Sequence, residues 1–505
     1  MRFLPRRASA VACALLATLA LAGCSPGDDA KDDDGNGGNG GENGTGDCPQ
    51  PPPPLVDASA DDPRRTVELA DEAGFVDVPA QDDCLTFPSR MFYSFRPADE
   101  APGAKPLLVL FNGGPGFPTT LGLLPWGTGP RTLAIPEGGT PEDAEWKRNP
   151  HSFTRFANLL YIDEAQTGFS YGRGAPPDDP CPQAARAFAW ADAVTFVRVV
   201  LEFLESHPAL ERAPVVLLGE SYGAYRALHM LDLLLNHEEL RSDHPDIAER
   251  IAQHFRRTQP KHSGPFAPED VARQFGNLAS IQGAFHSAMR FGFEPLCPGP
   301  VPETLDVHDV SKPTGWTDAA DARAARLWVE EAESNTLLGQ PLAAVIGLTT
   351  PQRGQAFRSP TNEGGEVGQT IISAGLAEKL GELPEGDDYF GAMTGPGVLA
   401  WAESEREPVF RVLPHVRTFA THALHDRVVC TDTVLNNLGK LWGRLRMDDK
   451  PRDSEERPGR AVLGEPQSEC SFSLRVPTYA ESGHAVSASQ PRELAEDLEA
   501  WLRAD

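Results

Sequence analysis

The sequence predicts an α/β protein with a mostly parallel central sheet, flanking helices and a helical lid-like insertion. Short apolar runs typical of buried strands alternate with longer helical patterns, which favours a parallel sheet covered on both faces. Strands are predicted at residues 106–111, 157–163, 215–218, 278–283, 417–423 and 470–479. This alternation breaks between about 286 and 410, where helical pieces alternate with Gly/Pro-rich loops. We expect that insertion to lie over the carboxyl edge of the sheet.

Helical patterns flank these strands. Residues 185–206 carry one apolar stripe, as expected of an amphipathic helix packed on a sheet. The last helix is predicted to begin near Pro491, because proline suits the first helical turn. Ahead of the parallel strands, residues 85–95 have the pattern of antiparallel edge strands.

The first 23 residues have the features of an export signal. A start with three arginines precedes the apolar run 8–22, which is too short to span a bilayer comfortably. The run ends in Leu21-Ala22-Gly23-Cys24, which resembles the lipobox of bacterial lipoproteins. We expect residues 1–23 to be removed and a lipid on Cys24 to anchor the protein to a bacterial membrane, on the periplasmic side or at the cell surface. An ordinary secretory signal is the alternative.

The remainder of the chain divides by composition. Residues 24–62 are acidic and rich in glycine and proline, which predicts a flexible tether, and residues 63–505 are predicted to form one domain. The formal net charge of −28 argues against a nucleic-acid surface, which needs clustered lysine and arginine.

Six cysteines remain once the export signal and the lipid site are set aside. An even number in an exported protein predicts up to three disulfides, with the connectivity open. The absence of any Cys-x-x-Cys pair argues against a zinc or redox site. The six are Cys48, Cys84, Cys181, Cys297, Cys430 and Cys470.

A nucleophilic serine is predicted at Ser221. The motif Gly219-Glu220-Ser221-Tyr222-Gly223 follows an apolar strand and precedes a helical pattern, which is the layout of the nucleophile elbow in the α/β-hydrolase fold. The small flanking residues permit a tight turn that lifts the serine hydroxyl above the sheet edge. A second match to Gly-x-Ser-x-Gly surrounds Ser170, but it lies beyond its strand and no helical pattern follows at once. We therefore assign the nucleophile to Ser221.

An activated serine needs a base and a group that orients the base. In α/β-hydrolases the acid and then the histidine follow the serine along the chain. His484 lies between the last predicted strand and the last helix, and Asp426 follows the strand that ends near Ala423. Asp432 is a competing acid, but its place at the start of a helical pattern suits an N-cap.

A metal site near Asp426 is not expected. His422 and His425 would face opposite sides of a continued strand, and no further ligand is suitably spaced. No cofactor is predicted.

Two backbone N–H groups are candidates for an oxyanion hole. Acyl transfer requires such donors aimed at the developing negative charge. One is the N–H of Tyr222, the residue after the nucleophile. The other is expected from the loop Asn112-Gly113-Gly114-Pro115-Gly116 after an early strand, and we assign it to Gly114. A simple tight turn would also explain these glycines.

Several stretches, in this order, resemble the serine carboxypeptidases. The resemblance covers about residues 85–502 and is weaker between about 286 and 410. It implies a hydrolase that removes C-terminal residues from peptides through an acyl-enzyme, with Ser221, Asp426 and His484 as the triad; with the export signal, this predicts an exported enzyme. The similar stretches are residues 110–116, 149–153, 157–163, 168–171, 219–223, 426–429, 483–486 and 490–491.

The resemblance also implies that Asn112 and Glu220 bind the terminal carboxylate of the substrate. A carboxyl group facing a carboxylate must share a proton with it, so activity favoured at acid pH is expected. A second glutamate usual in the family is absent from Leu124-Pro125-Trp126-Gly127-Thr128. An esterase or acyltransferase with the same triad is therefore the alternative, and a non-catalytic surface binding protein is a second one.

Overall fold

The structure is a computed structural model. It describes residues 51–55, 58–79, 89–113, 118–120, 122–134, 145–165, 170–172, 189–283, 411–423, 444–447, 460–464, 472–479, 482 and 485–503. Several sequence predictions lie outside these residues, namely the export signal, Cys24, the six other cysteines, Gly114, the insertion, His425, Asp426, Asp432 and His484.

Most described strands join one sheet. In chain order the strands are β1 (Glu72–Val78), β2 (Ser89–Arg96), β3 (Leu107–Phe111), β4 (Arg131–Ala134), β5 (Glu145–Arg148), β6 (Asn158–Ile162), β7 (Tyr171–Gly172), β8 (Val215–Glu220), β9 (Asn277–Ile281), β10 (Arg417–Ala420), β11 (His422–Ala423), β12 (Arg444–Met447), β13 (Arg460–Gly464), β14 (Phe472–Arg475) and β15 (Thr478–Tyr479). Within the described residues, eleven of them form a sheet in the order β1-β2-β6-β3-β8-β9-β10-β14-β13-β12, with β7 beside β2. Two further pairs, β4 with β5 and β11 with β15, lie apart from it.

The middle of the sheet is parallel from β6 through β3, β8, β9 and β10 to β14, and the edges are antiparallel. Every residue of β3, β6 and β9 is buried, as expected when helices cover both faces. The mostly parallel sheet of the α/β-hydrolase prediction is therefore confirmed.

The helices lie on the two faces of this sheet. They are α1 (Ala189–Ser206), α2 (Tyr222–Leu235), α3 (His237–Leu240), α4 (Pro245–Thr258), α5 (Pro268–Phe275), α6 (Val486–Ser489) and α7 (Pro491–Arg503), with short 3-10 turns at Pro63–Thr66, Pro102–Ala104, Phe153–Arg155 and Leu413–His415. Apolar side chains of α1, α2, α4 and α5 form one core, and those of α7 join a second core on the opposite face. None of the described helices combines the length and apolar character needed to cross a bilayer.

The start of the folded part has contacts within the segment predicted as a tether. Pro52 is buried and packs near Gly276, and the N–H of Leu55 donates to the carbonyl of Leu502 over 2.8 Å. Residues 52 and 55 thus contact the domain ahead of the predicted boundary at residue 63.

The strand order determines where a site forms. The chain passes from β3 to β6 on one side and then to β8 on the other side of β3. A crevice forms at the carboxyl ends of parallel strands where the direction of strand addition reverses. Asn112 follows β3 and Ser221 follows β8, so both residues lie at that crevice.

Candidate active site

Ser221 occupies a strained turn between β8 and α2. Its backbone has φ +57 and ψ −125, a conformation that is rare for residues other than glycine and is typical of a nucleophile elbow. A Cβ atom added at Gly219 would lie 2.2 Å from the carbonyl carbon of Gly223, and one at Gly223 would lie 2.7 Å from the Phe111 oxygen. The N–H of Ser221 donates to the Ile281 carbonyl over 3.0 Å, which fixes the turn to β9.

Ser170, the rejected alternative, has a structural role. Its buried hydroxyl donates to the carbonyl of Asp163 over 2.9 Å and accepts from the N–H of Phe92 over 2.8 Å. Both hydrogen bonds join the end of β6 to β2. The Ser170 hydroxyl is thus engaged inside the sheet edge, whereas Ser221 is partly exposed.

The loop after β3 rests directly on the elbow. A Cβ atom added at Gly113 would lie 2.5 Å from the backbone nitrogen of Tyr222 and 2.9 Å from the Cβ of Ser221. Only glycine permits this approach. The loop backbone therefore lies beside the N–H of Tyr222, which is the arrangement that an oxyanion hole requires.

Asn112 and Glu220 meet at the carboxyl ends of β3 and β8. The side-chain nitrogen of Asn112 donates to Glu220 Oε1 over 2.5 Å. The amide is oriented by its oxygen, which accepts the N–H of Leu123 over 2.8 Å. Gly122 packs so closely that an added Cβ would lie 2.3 Å from that oxygen. Asn112 is buried and Glu220 is only half-buried, so the pair faces the crevice.

The chain that returns after this loop is held by two threonines. The Thr119 hydroxyl donates to the carbonyl of Ile162 over 2.6 Å and accepts the N–H of Asn112 over 3.1 Å. Both the N–H and the hydroxyl of Thr120 donate to the buried Asp163 carboxylate, over 2.9 and 2.8 Å. The end of β6 thereby supports the loop from below.

The segment that lacks the second glutamate serves as a packing surface. Gly127 has φ +77, and an added Cβ would lie 1.9 Å from the carbonyl oxygen of Ser487 in α6. Asn149 donates its side-chain amide to the Gly127 carbonyl over 2.7 Å and to the Gly129 carbonyl over 2.8 Å. Because α6 begins two residues after His484, Leu124–Thr128 supports the helix that follows the predicted histidine.

The described strands that precede the predicted acid and the predicted base lie side by side. β11 and β15 pair in parallel, with Ala423 opposite Tyr479. The strands that precede Asp426 and His484 in the chain are therefore neighbours. His422 is buried with Nδ1 3.4 Å from the Thr478 hydroxyl, and the described residues contain no cluster that could hold a metal ion.

Gln282 is a site-supporting residue that sequence reasoning missed. It has φ +46, is fully buried, and follows Ile281, which binds the N–H of Ser221. Its side-chain oxygen accepts the hydroxyl of Thr421 and the N–H of Ala423, each over 2.9 Å. Gln282 thus links the elbow to the strand that leads to Asp426. A lone glutamine at a strand end carries no distinguishing sequence signal.

Sequence reasoning also missed Arg226 as a residue that supports the site. It is fully buried in α2 and makes three hydrogen bonds of 2.6 Å, from Nε to Asp192, from Nη2 to Glu164 and from Nη1 to the carbonyl of Asn112. Burial acts to lower the pKa of Arg226, but Asp192 and Glu164 outweigh it and hold that pKa above its ordinary value. Burial raises the pKa of Asp192, and the ion pair only partly opposes the rise. A single arginine in the apolar run 222–235 was the available signal.

Comparison with known proteins adds family evidence for the part of the chain that carries the elbow. Residues 63–245 match the serine carboxypeptidase family. Serine carboxypeptidase-like 44 of Arabidopsis thaliana is 28% identical over 172 residues, which cover 34% of this chain and 32% of that protein. Carboxypeptidase sxa2 of Schizosaccharomyces pombe is 30% identical over 152 residues, covering 30% of this chain and 26% of that protein. The chain thus spans about a third or less of these relatives.

Solved structures give a weaker likeness. The prohormone-processing carboxypeptidase Kex1 of Saccharomyces cerevisiae is matched with a TM-score of 0.42 and 14% identity, over 85% of this chain and 90% of that one. An esterase of Exiguobacterium antarcticum is matched with a TM-score of 0.34 and 12% identity, over 85% and 99%.

The serine carboxypeptidase match includes Asn112, Glu220 and Ser221 and ends before Asp426 and His484. The elbow and the Asn112–Glu220 pair therefore lie within the matched segment, and the assignment of the acid and the base remains a prediction from their positions in the chain.

Proposed function

We propose that this protein is an exported serine-type carboxypeptidase that acts on peptides. The observation that carries the proposal is the strained Ser221 beside the Asn112–Glu220 pair, because one crevice then holds a nucleophile and a group suited to a peptide terminus. The match of residues 63–245 to the serine carboxypeptidases supports the same reaction class.

In the proposed mechanism, Ser221 attacks the carbonyl of the last peptide bond. His484 removes the serine proton and later returns it to the leaving amine, while Asp426 orients the imidazole. The N–H groups of Gly114 and Tyr222 stabilise the tetrahedral oxyanion. Water then hydrolyses the acyl-enzyme. The parallel pairing of β11 with β15 supports this assignment, since the strands that precede the two predicted residues in the chain are neighbours.

Substrate selection would depend on the Asn112–Glu220 pair. The Asn112 amide nitrogen donates to one carboxylate, and Glu220 must be protonated to donate to a second one, the substrate terminus. The proposed enzyme therefore favours acid pH for substrates with a free terminal carboxylate.

An N-terminal lipid would hold this enzyme at a membrane. Removal of residues 1–23, lipidation of Cys24 and a tether over 24–62 would present the domain on the periplasmic side or at the cell surface, where disulfides among the six other cysteines are chemically permitted. Release of the protein from membranes by Cys24→Ser is the expected result. A variant that remains membrane-bound would contradict this assignment.

An esterase or acyltransferase is the second candidate. The observation favouring it is that Leu124–Thr128 carries no acid and packs against α6 through Gly127, so the second carboxylate-binding group of the family is missing from this segment. Equal turnover of a blocked dipeptide and its C-terminal methyl ester would favour this candidate over a carboxypeptidase.

The deciding experiment measures release of the terminal amino acid from N-blocked dipeptides at acid and neutral pH. We expect turnover by the wild-type protein and none above background for Ser221→Ala. Full activity of Ser221→Ala would overturn the proposal. Failure of a fluorophosphonate to label the folded wild-type protein would instead favour a non-catalytic binding protein.

A further inference from the structure

We propose that Arg226 is a positioning residue. Its contacts fix the two segments that supply the oxyanion donors to one buried cluster of charged side chains. This inference rests on the proposed function, because it concerns the same oxyanion. Arg226 is fully buried and so does not reach the crevice where a substrate binds. Its effect on the reaction must pass through the groups that it contacts.

The first side of the hole is held through Asn112. Arg226 Nη1 donates to the Asn112 carbonyl oxygen over 2.6 Å. That carbonyl belongs to the peptide unit leading into Gly113, whose backbone lies against Ser221 and the nitrogen of Tyr222. The Arg226 hydrogen bond therefore fixes the distance between Gly113 and the elbow.

The remaining polar groups of Asn112 have other partners. Its N–H binds the Thr119 hydroxyl, and its side chain lies between Leu123 and Glu220. These contacts restrain the side chain and the N–H but leave the carbonyl to Arg226. Loss of the arginine fork would thus displace the backbone of the loop more than the Asn112–Glu220 pair.

The second side of the hole is held through Tyr222. Asp192 Oδ2 accepts from Arg226 Nε over 2.6 Å and lies 3.4 Å from the Tyr222 hydroxyl. The guanidinium carbon lies 5.2 Å from the Tyr222 ring centroid and 4.3 Å from that of Phe196. Asp192 thereby connects Arg226 to the residue whose N–H is the other oxyanion donor.

The cluster of charged side chains around Arg226 is rigid because it is buried. Glu164 follows β6 and Asp192 belongs to α1, and their side chains are 2% and 3% exposed beside Arg226. A charge-assisted fork is strong and strict in geometry in such dry surroundings. The network therefore joins α1, α2 and the ends of β3 and β6.

The test is Arg226→Lys, which keeps the positive charge and loses the planar fork. We expect kcat for a blocked dipeptide to fall by about 10²-fold, since a misplaced oxyanion donor costs this order. The pH profile of kcat/KM should keep its shape, because the titrating groups in the crevice are unchanged. Inhibition by a peptide aldehyde, which forms a tetrahedral adduct, should weaken in parallel with kcat. Inhibition by the free product amino acid, which needs only the Asn112–Glu220 pair, should change by less than about threefold.

The matched control is Arg411→Lys. Arg411 Nε binds the buried Asp232 over 2.8 Å and Nη2 binds Glu239 over 2.7 Å, toward the far end of the same helix. Asp232 lies ten residues from Tyr222, or about 15 Å along the helix. This variant loses a fork that is only partly buried, since the Arg411 side chain is 33% exposed, and should lower stability less than Arg226→Lys while kcat stays within about twofold. If Arg226→Lys fails to fold, Asp192→Asn replaces it, with an expected loss of about tenfold in the same pattern.

Equal kcat values for the Arg226 and Arg411 variants would overturn the inference, as would aldehyde and product inhibition that weaken together. Failure of the proposed function is a separate outcome. If the wild-type protein reacts with a fluorophosphonate but cleaves no peptide, the carboxypeptidase assignment fails. The Arg226 inference is then decided by whether Arg226→Lys slows the labelling of Ser221 relative to Arg411→Lys.

Discussion

The side-chain nitrogen of Asn112 lies 2.5 Å from the carboxylate of Glu220, although 108 positions separate the two residues in the chain. The parallel register of β3 and β8 explains the contact, because Phe111 pairs with Gly219. Asn112, which follows β3, and Glu220, the last residue of β8, therefore lie beside each other at the carboxyl edge. Strand register thus brings together the pair proposed to bind the substrate terminus, next to Ser221.

Glu220→Gln should remove much of the pH dependence of the reaction. The glutamine amide donates to a substrate carboxylate at any pH, whereas the wild-type carboxyl must be protonated. We expect the wild-type kcat/KM to decline from about pH 5 to pH 8 and the variant profile to flatten, leaving the limb that belongs to the histidine base. The measurement is kcat/KM against pH for a blocked dipeptide. An unchanged profile in the variant would show that Glu220 does not meet the substrate carboxylate.

Gly113→Ala should disable the site without disrupting the core. The new methyl group would lie 2.5 Å from the nitrogen of Tyr222, so the loop must move away from the elbow. A displacement of about 1 Å at a reacting centre costs about 10²-fold in rate. The control is Gly129→Ala, whose nearest contact would be the Tyr161 hydroxyl at 3.2 Å. Comparable activity of the two variants would contradict a close approach of the loop to the oxyanion hole.

Substitution of the two Gly-x-Ser-x-Gly serines should have different effects: loss of stability at Ser170 and loss of reactivity at Ser221. Ser170→Ala leaves the N–H of Phe92 and the carbonyl of Asp163 without their buried partner, at a cost of about 1–3 kcal/mol in the free energy of unfolding. Fluorophosphonate labelling should survive in this variant. Ser221→Ala should lose labelling and keep nearly full stability. Urea denaturation and probe labelling of both variants measure the two effects, and loss of labelling in folded Ser170→Ala would reverse the assignment.

His207 should make the stability of the domain pH-dependent. Burial acts to lower its pKa, but the hydrogen bonds to Glu72 and to the carbonyl of Phe203, at 3.0 and 2.7 Å, outweigh burial and raise that pKa above 6.5. A raised folded-state pKa adds stability that is fully present below about pH 6.5 and is lost as the pH rises through the folded-state value. Because the Glu72 carboxylate is partly exposed, we expect this pH-dependent contribution to the free energy of unfolding to be about 0.5 kcal/mol.

His207→Gln should therefore lower the free energy of unfolding near pH 5.5 more than near pH 9, as measured in urea. Glu72→Gln should remove the same pH-dependent part, although it also alters the hydrogen bond from the Tyr93 hydroxyl to Glu72. An equal loss at both pH values for His207→Gln would indicate packing of its ring against Phe203 rather than its charge.

Local patterns were sufficient for the parallel strands, for the helix after Ser221 and for the final helix from Pro491. Continuous apolar runs identify buried strands because both faces of a parallel sheet must be covered. The choice of Ser221 over Ser170 also rested on local context, namely a strand directly before the motif and a helix directly after it. The antiparallel start of the sheet at β1 and β2 was anticipated only as edge strands near residues 85–95.

Relations between distant segments depended on the folded arrangement. Three contacts illustrate this: the hydrogen bonds of Arg226, the link from Gln282 to Ala423 and the packing of Gly127 on Ser487. In each, the local sequence has no feature that identifies the partner segment. Their geometry follows from strand order and register, which local propensity does not encode. Sequence patterns predicted Ser221 as the nucleophile because its motif is contiguous, and the family resemblance implied the roles of Asn112 and Glu220; all three roles stay predictions. The buried cluster of charges around Arg226 could be recognised only in the folded structure. Burial there makes a lone arginine the partner of two carboxylates and a carbonyl.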